Sequence, residues 1–144
     1  TDVRGFTNLS EKLPPEQVTD IMNKVLTEQV TCIQAHGGMV DKFIGDACMA
    51  IFNAPLDIDE HEKRAVACAQ DMRTAIQQLQ TTLPEPVAIG DAVNTAARLE
   101  SATKDVGEDI LIGENTAKKC NFGLKSLQPI KVKGKKDYLK IYTV

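Results

Sequence analysis

Residues 40–52 read VDKFIGDACMAIF. Phe43, Ile44, Met49, Ile51 and Phe52 favour strands, and Gly45-Asp46 interrupts them midway. A two-residue turn opened by glycine between apolar runs is the short-range signature of a β-hairpin. Two charged groups stand out in this apolar ribbon: Lys42 in its first arm and Asp46 in its turn. Hairpin formation alone does not account for them.

Before the hairpin, Val18, Ile21, Met22, Val25, Leu26, Val30 and Ile33 recur with a 3.6-residue period. The pattern predicts a helix opened by Pro14-Pro15 and closed by Gly37-Gly38. The chain starts TDVRGFT, which reads as the end of a strand followed by a glycine turn. After the hairpin, Asn53-Ala54-Pro55 is a break. A second helix is expected from near Asp59, its apolar stripe running Ala65, Cys68, Ala69, Met72, Ile76 and Leu79. Glu60 and Glu62 suit the positive end of its dipole.

The run Leu83–Val87, LPEPV, is too proline-rich for a central strand. A third helix follows, with Asp91 as its N-cap. Residues 109–112 read as a short strand and 114–119 as a short helix. Two strands then flank Lys133-Gly134-Lys135-Lys136. This order predicts a single α+β domain over residues 1–144. Its expected core is βαββαβ, ferredoxin-like or polymerase-palm-like, a mostly antiparallel sheet with helices on one face, extended by a C-terminal αβαββ segment. The strand that such a core needs after its second helix is not supplied by LPEPV.

Composition narrows the function. The chain has 144 residues, 42% hydrophobic and 26% charged, ordinary values for a globular domain. No apolar run approaches the roughly 20 residues that span a bilayer, and none reads as a signal peptide. Cys32, Cys48, Cys68 and Cys120 form no CxxC pair, and they read as buried thiols of a reducing, cytoplasmic compartment. Residues 1–117 carry 9 Lys/Arg against 19 Asp/Glu, whereas residues 118–144 carry 8 lysines and one acid, Asp137. A lysine-rich tail is ordinarily a solvated face; the sharper reading is an anionic ligand nearby. With aromatics at only 4%, a nucleic-acid platform is disfavoured.

Four groups of residues can carry chemistry. Asp2 and Asp46 both sit at strand-end turns, and a βαββ unit can lay the first strand beside the hairpin. Paired carboxylates suit Mg²⁺, which prefers oxygen ligands; singly, an aspartate in a turn is common. Gly5-Phe6-Thr7 leads towards a helix and offers backbone N–H groups to a phosphate. In DAVNTAARLE, Asn94 and Arg98 lie four residues apart, on one helical face, where an amide and a guanidinium can orient a ribose and neutralise a phosphate. A polar solvent face accounts for that spacing equally well. Lys133, beside Gly134, can reach a triphosphate or can be one more surface lysine.

Together, TDVRGFTNLSE (1–11), DKFIGDACMAIF (41–52), AIGDAVNTAARLE (88–100) and VKGK (132–135) resemble the catalytic domain of class III nucleotidyl cyclases, the adenylate and guanylate cyclases, and most of all the bacterial-type adenylate cyclases. The resemblance implies conversion of ATP to 3′,5′-cyclic AMP and pyrophosphate by two Mg²⁺ (or Mn²⁺) ions per active site. Asp2 and Asp46 match the metal-binding aspartates, Lys42 the lysine that reads adenine, and Asn94 the ribose-orienting asparagine. Arg98 and Lys133 match the cations that stabilise the transition state and the triphosphate. Gly5, Phe6 and Thr7 would lie along the substrate phosphates.

In the family these groups form composite sites in a head-to-tail homodimer, so Lys42 and Asp46 of one hairpin would serve different nucleotides. An upstream regulatory or sensor domain is also implied, and no nucleic-acid partner. A lysine only donates, which favours adenine N1 over the N1–H of guanine; guanylate cyclases of the family carry an acid there. The chain departs from the pattern by lacking the strand that leads into Asp2 and a strand–turn–strand segment between Val87 and Ala88. The second base-contacting residue therefore has no assignment. Three rival readings are a guanylate cyclase, a non-catalytic cyclase-like regulatory domain and an RNA-binding ferredoxin-like module.

Overall fold

The structure is a computed structural model. It describes residues 1–85, 87–90, 102–103, 105–120, 123–131 and 138–144. The hairpin forms as its sequence requires, with β2 (Met39–Ile44) and β3 (Ala47–Ile51) antiparallel about Gly45-Asp46. Gly45 adopts φ +62°, a left-handed conformation that glycine reaches without steric cost. The two arms are out of step by one residue: Val40 faces Ala50 but Lys42 faces Met49, so Asp41 is the extra residue of a bulge.

The helix expected before the hairpin forms, and a shorter helix not read from the sequence precedes it. α1 (Phe6–Lys12) ends at Leu13, whose extended φ −111°, ψ 149° is what a residue before proline is forced to adopt. α2 (Pro15–Ala35) then opens with proline in its first turn, and Gly37 closes it at φ +77°. Its inner face is Ile21, Val25, Gln29 and Ile33, successive i, i+4 positions. α3 (His61–Leu79) buries Val66, Cys68, Met72 and Ile76.

The missing strand of the sequence pattern is β4 (Ala88–Gly90), directly after the proline-rich break. It pairs antiparallel with β1 (Asp2–Arg4), Asp2 facing Gly90 and Arg4 facing Ala88. Three residues suffice here because pairing with β1, rather than local propensity, stabilises them. β1 in turn meets β3: Cys48 N–H donates to the Thr1 carbonyl at 3.0 Å, and Thr1 N donates to the Cys48 carbonyl at 2.8 Å. This mutual exchange is an antiparallel pair. It joins the two ladders in the order β4-β1-β3-β2, the ferredoxin-like order.

Val3 and Cys48 pack into one cluster with Ile21, Val25 and Ile33 of α2 and Cys68, Met72 and Ile76 of α3. Each such side chain contributes about 1.5–3 kcal/mol on burial. Gly38 allows the close approach at the end of α2: a Cβ there would meet Phe52 Cζ at 2.7 Å and Ile33 Cγ2 at 2.9 Å.

The C-terminal part is a separate three-stranded antiparallel sheet. β5 (Ile112–Gly113), α4 (Glu114–Ala117), β6 (Lys125–Ser126) and β7 (Ile141–Thr143) follow in chain order, with β7 in the middle of the sheet. The strand expected at 109–112 is thus shorter and later; Ile110 and Leu111 are buried but unpaired in a ladder. The two strands expected near the end do pair, and Ile130 bridges Leu139 beyond them. Arg73 on α3 ties this sheet to the first layer by donating to the Val144 carbonyl at 3.2 Å. The helix expected over 92–100 lies outside the described residues. Among the described residues no helix is long and apolar enough to cross a membrane.

Candidate active site

Asp2 is the first residue of β1, and Asp46 is the second residue of the β2–β3 turn. The Thr1–Cys48 exchange lays the start of β1 beside the hairpin, and brings the Asp2 carboxyl close enough to Asp46 to raise its pKa. Burial raises the Asp46 pKa most; the neighbouring Asp2 carboxyl and its charge raise it further. The backbone N–H groups of Asp46 and Val3 pull it partly back.

Two acids held this close are in electrostatic conflict without a proton or a cation. Their hard oxygen donors fit a divalent ion such as Mg²⁺ or Mn²⁺. Among the described residues no group of three or more His, Cys, Asp or Glu side chains forms a metal cage. A pair leaves the remaining coordination positions to substrate oxygens and water, as Mg²⁺ commonly requires.

Gly5 lies directly after β1 at φ +72° and caps α1 without a side-chain hydrogen bond. Leu9 N–H closes the first turn on the Gly5 carbonyl at 3.0 Å. The N–H groups of Phe6 and Thr7 therefore open the helix with no intrahelical acceptor. Both follow Asp2 closely in the chain.

Lys42 stands on β2, its side chain 57% exposed, with Nζ 3.2 Å from Asp41 Oδ2. The structure thus brings Asp2 and Asp46 together and leaves Lys42 on the outer strand of the hairpin. Asn94, Arg98 and Lys133 lie outside the described residues.

Three features of this neighbourhood were not read from the sequence. Gln29 is fully buried in the α2 stripe, where its Oε1 accepts from Thr1 Oγ1 at 2.7 Å and its Nε2 has no partner. Its place four residues after Val25 was the available signal. Arg4 reaches across to the segment before β5, donating to the Glu108 carbonyl at 2.7 Å and lying 3.5 Å from Asp109. No sequence signal marks that contact. The third is the Asp41–Lys42 pair, which depends on the bulge. An apolar cavity of about 150 Å³ between β3, α3 and the 110–113 segment is lined by Cys48, Phe52, Cys68, Met72 and Ile112, and holds no carboxylate.

An antiparallel sheet of order β4-β1-β3-β2, with two acids meeting where β1 begins and the hairpin turns, is the frame of a palm-type domain. The model of the adenylate and guanylate cyclase catalytic domain matches residues 1–89, and the chain belongs to that family. An adenylate cyclase of Anabaena cylindrica is 31% identical over 176 aligned positions, covering 99% of this chain and 35% of that protein. The adenylyl cyclase CyaB of P. aeruginosa superposes with a TM-score of 0.83 at 28% identity, covering 98% of this chain and 88% of that one. The guanylyl cyclase Cya2 gives 0.79 at 26% identity, with 98% and 86% coverage. The chain spans about a third of the length of the Anabaena relative and 26% of adenylate cyclase 1 of Rhizobium meliloti.

Proposed function

We propose that this domain is the catalytic part of an adenylate cyclase, forming 3′,5′-cyclic AMP and pyrophosphate from ATP at composite sites of a head-to-tail homodimer. The observation that carries the reading is the meeting of Asp2 and Asp46, two acids far apart in sequence that stand close enough for Asp2 to push the Asp46 pKa up. Adenylate cyclases among the similar proteins, and a lysine rather than an acid at position 42, support ATP over GTP.

The reaction joins the ribose 3′-oxygen to the α-phosphorus and releases pyrophosphate. When bound to Asp2 and Asp46, two Mg²⁺ or Mn²⁺ ions supply Lewis-acid activation of that hydroxyl and neutralise the triphosphate. The remaining work is positioning and charge stabilisation by the chain. Phe6 and Thr7, after Gly5, present backbone N–H groups to phosphate oxygens. From the second protomer, Lys42 donates to adenine N1, Asn94 orients the ribose, Arg98 offsets charge at the α-phosphate and Lys133 holds the leaving pyrophosphate. A two-fold dimer builds two such sites, because each copy of the interface contributes the same patch.

Residues 1–144 form one catalytic domain in this reading, cytoplasmic and attached to a regulatory or sensor region. Aligning 176 positions with a 144-residue chain leaves the Anabaena relative with residues that have no counterpart here. In this reading those residues belong to a segment omitted between Val87 and Ala88.

The test incubates the purified protein with ATP or GTP and Mg²⁺ or Mn²⁺, and measures cyclic product by chromatography. Cyclic AMP from the wild type and none from Asp46→Ala is the expected result. Cyclic GTP product in excess, as from the guanylyl cyclase whose fold this chain shares, would assign the other substrate. No cyclic product from a folded dimer would assign a regulatory role.

A further inference from the structure

The bulge places Asp41 where a regular strand would not. Successive residues of a strand point to opposite faces. Because Val40 and Lys42 face the adjacent residues Ala50 and Met49, Asp41 has no partner of its own on β3. Its side chain turns to that of its neighbour, with Asp41 Oδ2 3.2 Å from Lys42 Nζ. The two side chains are 31% and 57% exposed, so the pair adds little to stability. Its effect is directional. An unrestrained lysine on an outer strand samples many rotamers, and fixing it on a ligand costs that freedom. An ammonium has three donors. One engaged by Asp41 leaves the others for a base, so the ion pair need not break when the nucleotide arrives.

We propose that Asp41 is a positioning residue that holds the Lys42 ammonium at the place where it meets the purine, and so sharpens the preference for adenine. The proposal rests on the reading of Lys42 as the base-contacting group. It assigns Asp41 no contact with substrate; Asp41 acts through Lys42 alone. Removing the carboxylate leaves the charge and donors of Lys42 intact but frees its rotamers. The cost falls on binding of the base, not on the bond-forming step.

The experiment measures ATP and GTP kinetics of the full-length protein carrying Asp41→Ala, Lys42→Gln or both. Asp41→Ala is expected to raise KM for ATP roughly three- to tenfold. Its kcat should change less than about twofold, and the ATP:GTP ratio of kcat/KM should fall by the factor seen in KM. Asp41→Glu should recover part of the loss, and Asp41→Asn, closest in shape, replaces the alanine variant if that one does not fold. In the Lys42→Gln background, Asp41→Ala should have no further effect. Persistence of its effect there would overturn the proposal, as would an unchanged ATP:GTP ratio in Asp41→Ala when Lys42→Gln does shift it. An unchanged ratio in Lys42→Gln would remove the base-reading role itself, and the proposal with it.

Discussion

Thr1 and Cys48 exchange two backbone hydrogen bonds, at 2.8 and 3.0 Å, and thereby set the beginning of β1 against β3. The meeting of the two carboxyls depends on this contact. It aligns Asp2 with the turn that carries Asp46, and Gln29 supports it from below through the Thr1 hydroxyl.

The pair has a measurable cost in the absence of metal. The Asp46 carboxyl is raised by burial and by Asp2. A raised acid contributes stability at low pH and loses it as pH rises through its folded-state pKa. In chelator, the wild type should therefore lose melting temperature relative to Asp46→Asn as pH climbs above the usual carboxylate range. The variant should melt a few degrees higher at neutral pH. Mn²⁺ should reverse the order by stabilising only the wild type. Thermal unfolding across pH, with EDTA or MnCl₂, reads both signs.

Composite sites predict complementation. Asp46→Ala and Arg98→Ala should each be nearly inactive, the latter losing on the order of 10²–10³ in rate. Mixed in equal amounts, half the dimers are heterodimers with one intact site of two, so about a quarter of wild-type activity should return. No recovery from variants that are folded and dimeric by sedimentation would sink the shared-site arrangement.

Lys42→Glu replaces a donor by an acceptor. It should lower kcat/KM for ATP by roughly 10²-fold and lessen discrimination against GTP, whose N1–H an acid can accept. Competition kinetics with both nucleotides present measure the ratio directly. An unchanged preference would refute the role given to Lys42.

Two glycines should fail for different reasons. Gly38→Ala forces a methyl group into Phe52 and Ile33 and should cost about 1–3 kcal/mol through overpacking. Gly45→Ala meets nothing within 4 Å, so its cost is the left-handed backbone alone, about 1–2 kcal/mol. Denaturant unfolding gives both values. Truncating Phe52 to Leu should relieve the first and leave the second unchanged.

Arg4→Met should release the segment before β5, since the guanidinium holds the Glu108 carbonyl and faces Asp109. A charge-assisted hydrogen bond of this kind contributes about 1.5–3 kcal/mol. Faster amide exchange over residues 108–113, with β2 and β3 unaffected, is the expected signature.

Much of this architecture was legible without coordinates. The period of Val18 to Ile33, the prolines before it and the glycines after it specify α2, because helix formation and termination are decided by neighbours in the chain. Gly45-Asp46 between apolar runs specifies the hairpin for the same reason. Asp2 and Asp46 were legible as acids in turns, and the four motifs together named the family.

What tertiary structure alone decided is every relation between distant segments. Ala88–Gly90 is a strand because β1 lies beside it, not because three residues prefer to be one. α1, seven residues with only Leu9 buried, shows too little apolar periodicity to be read from the chain alone. Gln29 is buried because Thr1 gives its carbonyl oxygen a partner, and Asp41 meets Lys42 because one strand carries a residue more than the other. Local preferences choose helix, strand or turn for each stretch; the register in which those stretches meet is set by burial and backbone pairing across the whole fold. That register sets Asp2, at the start of a strand, beside Asp46 in a distant turn.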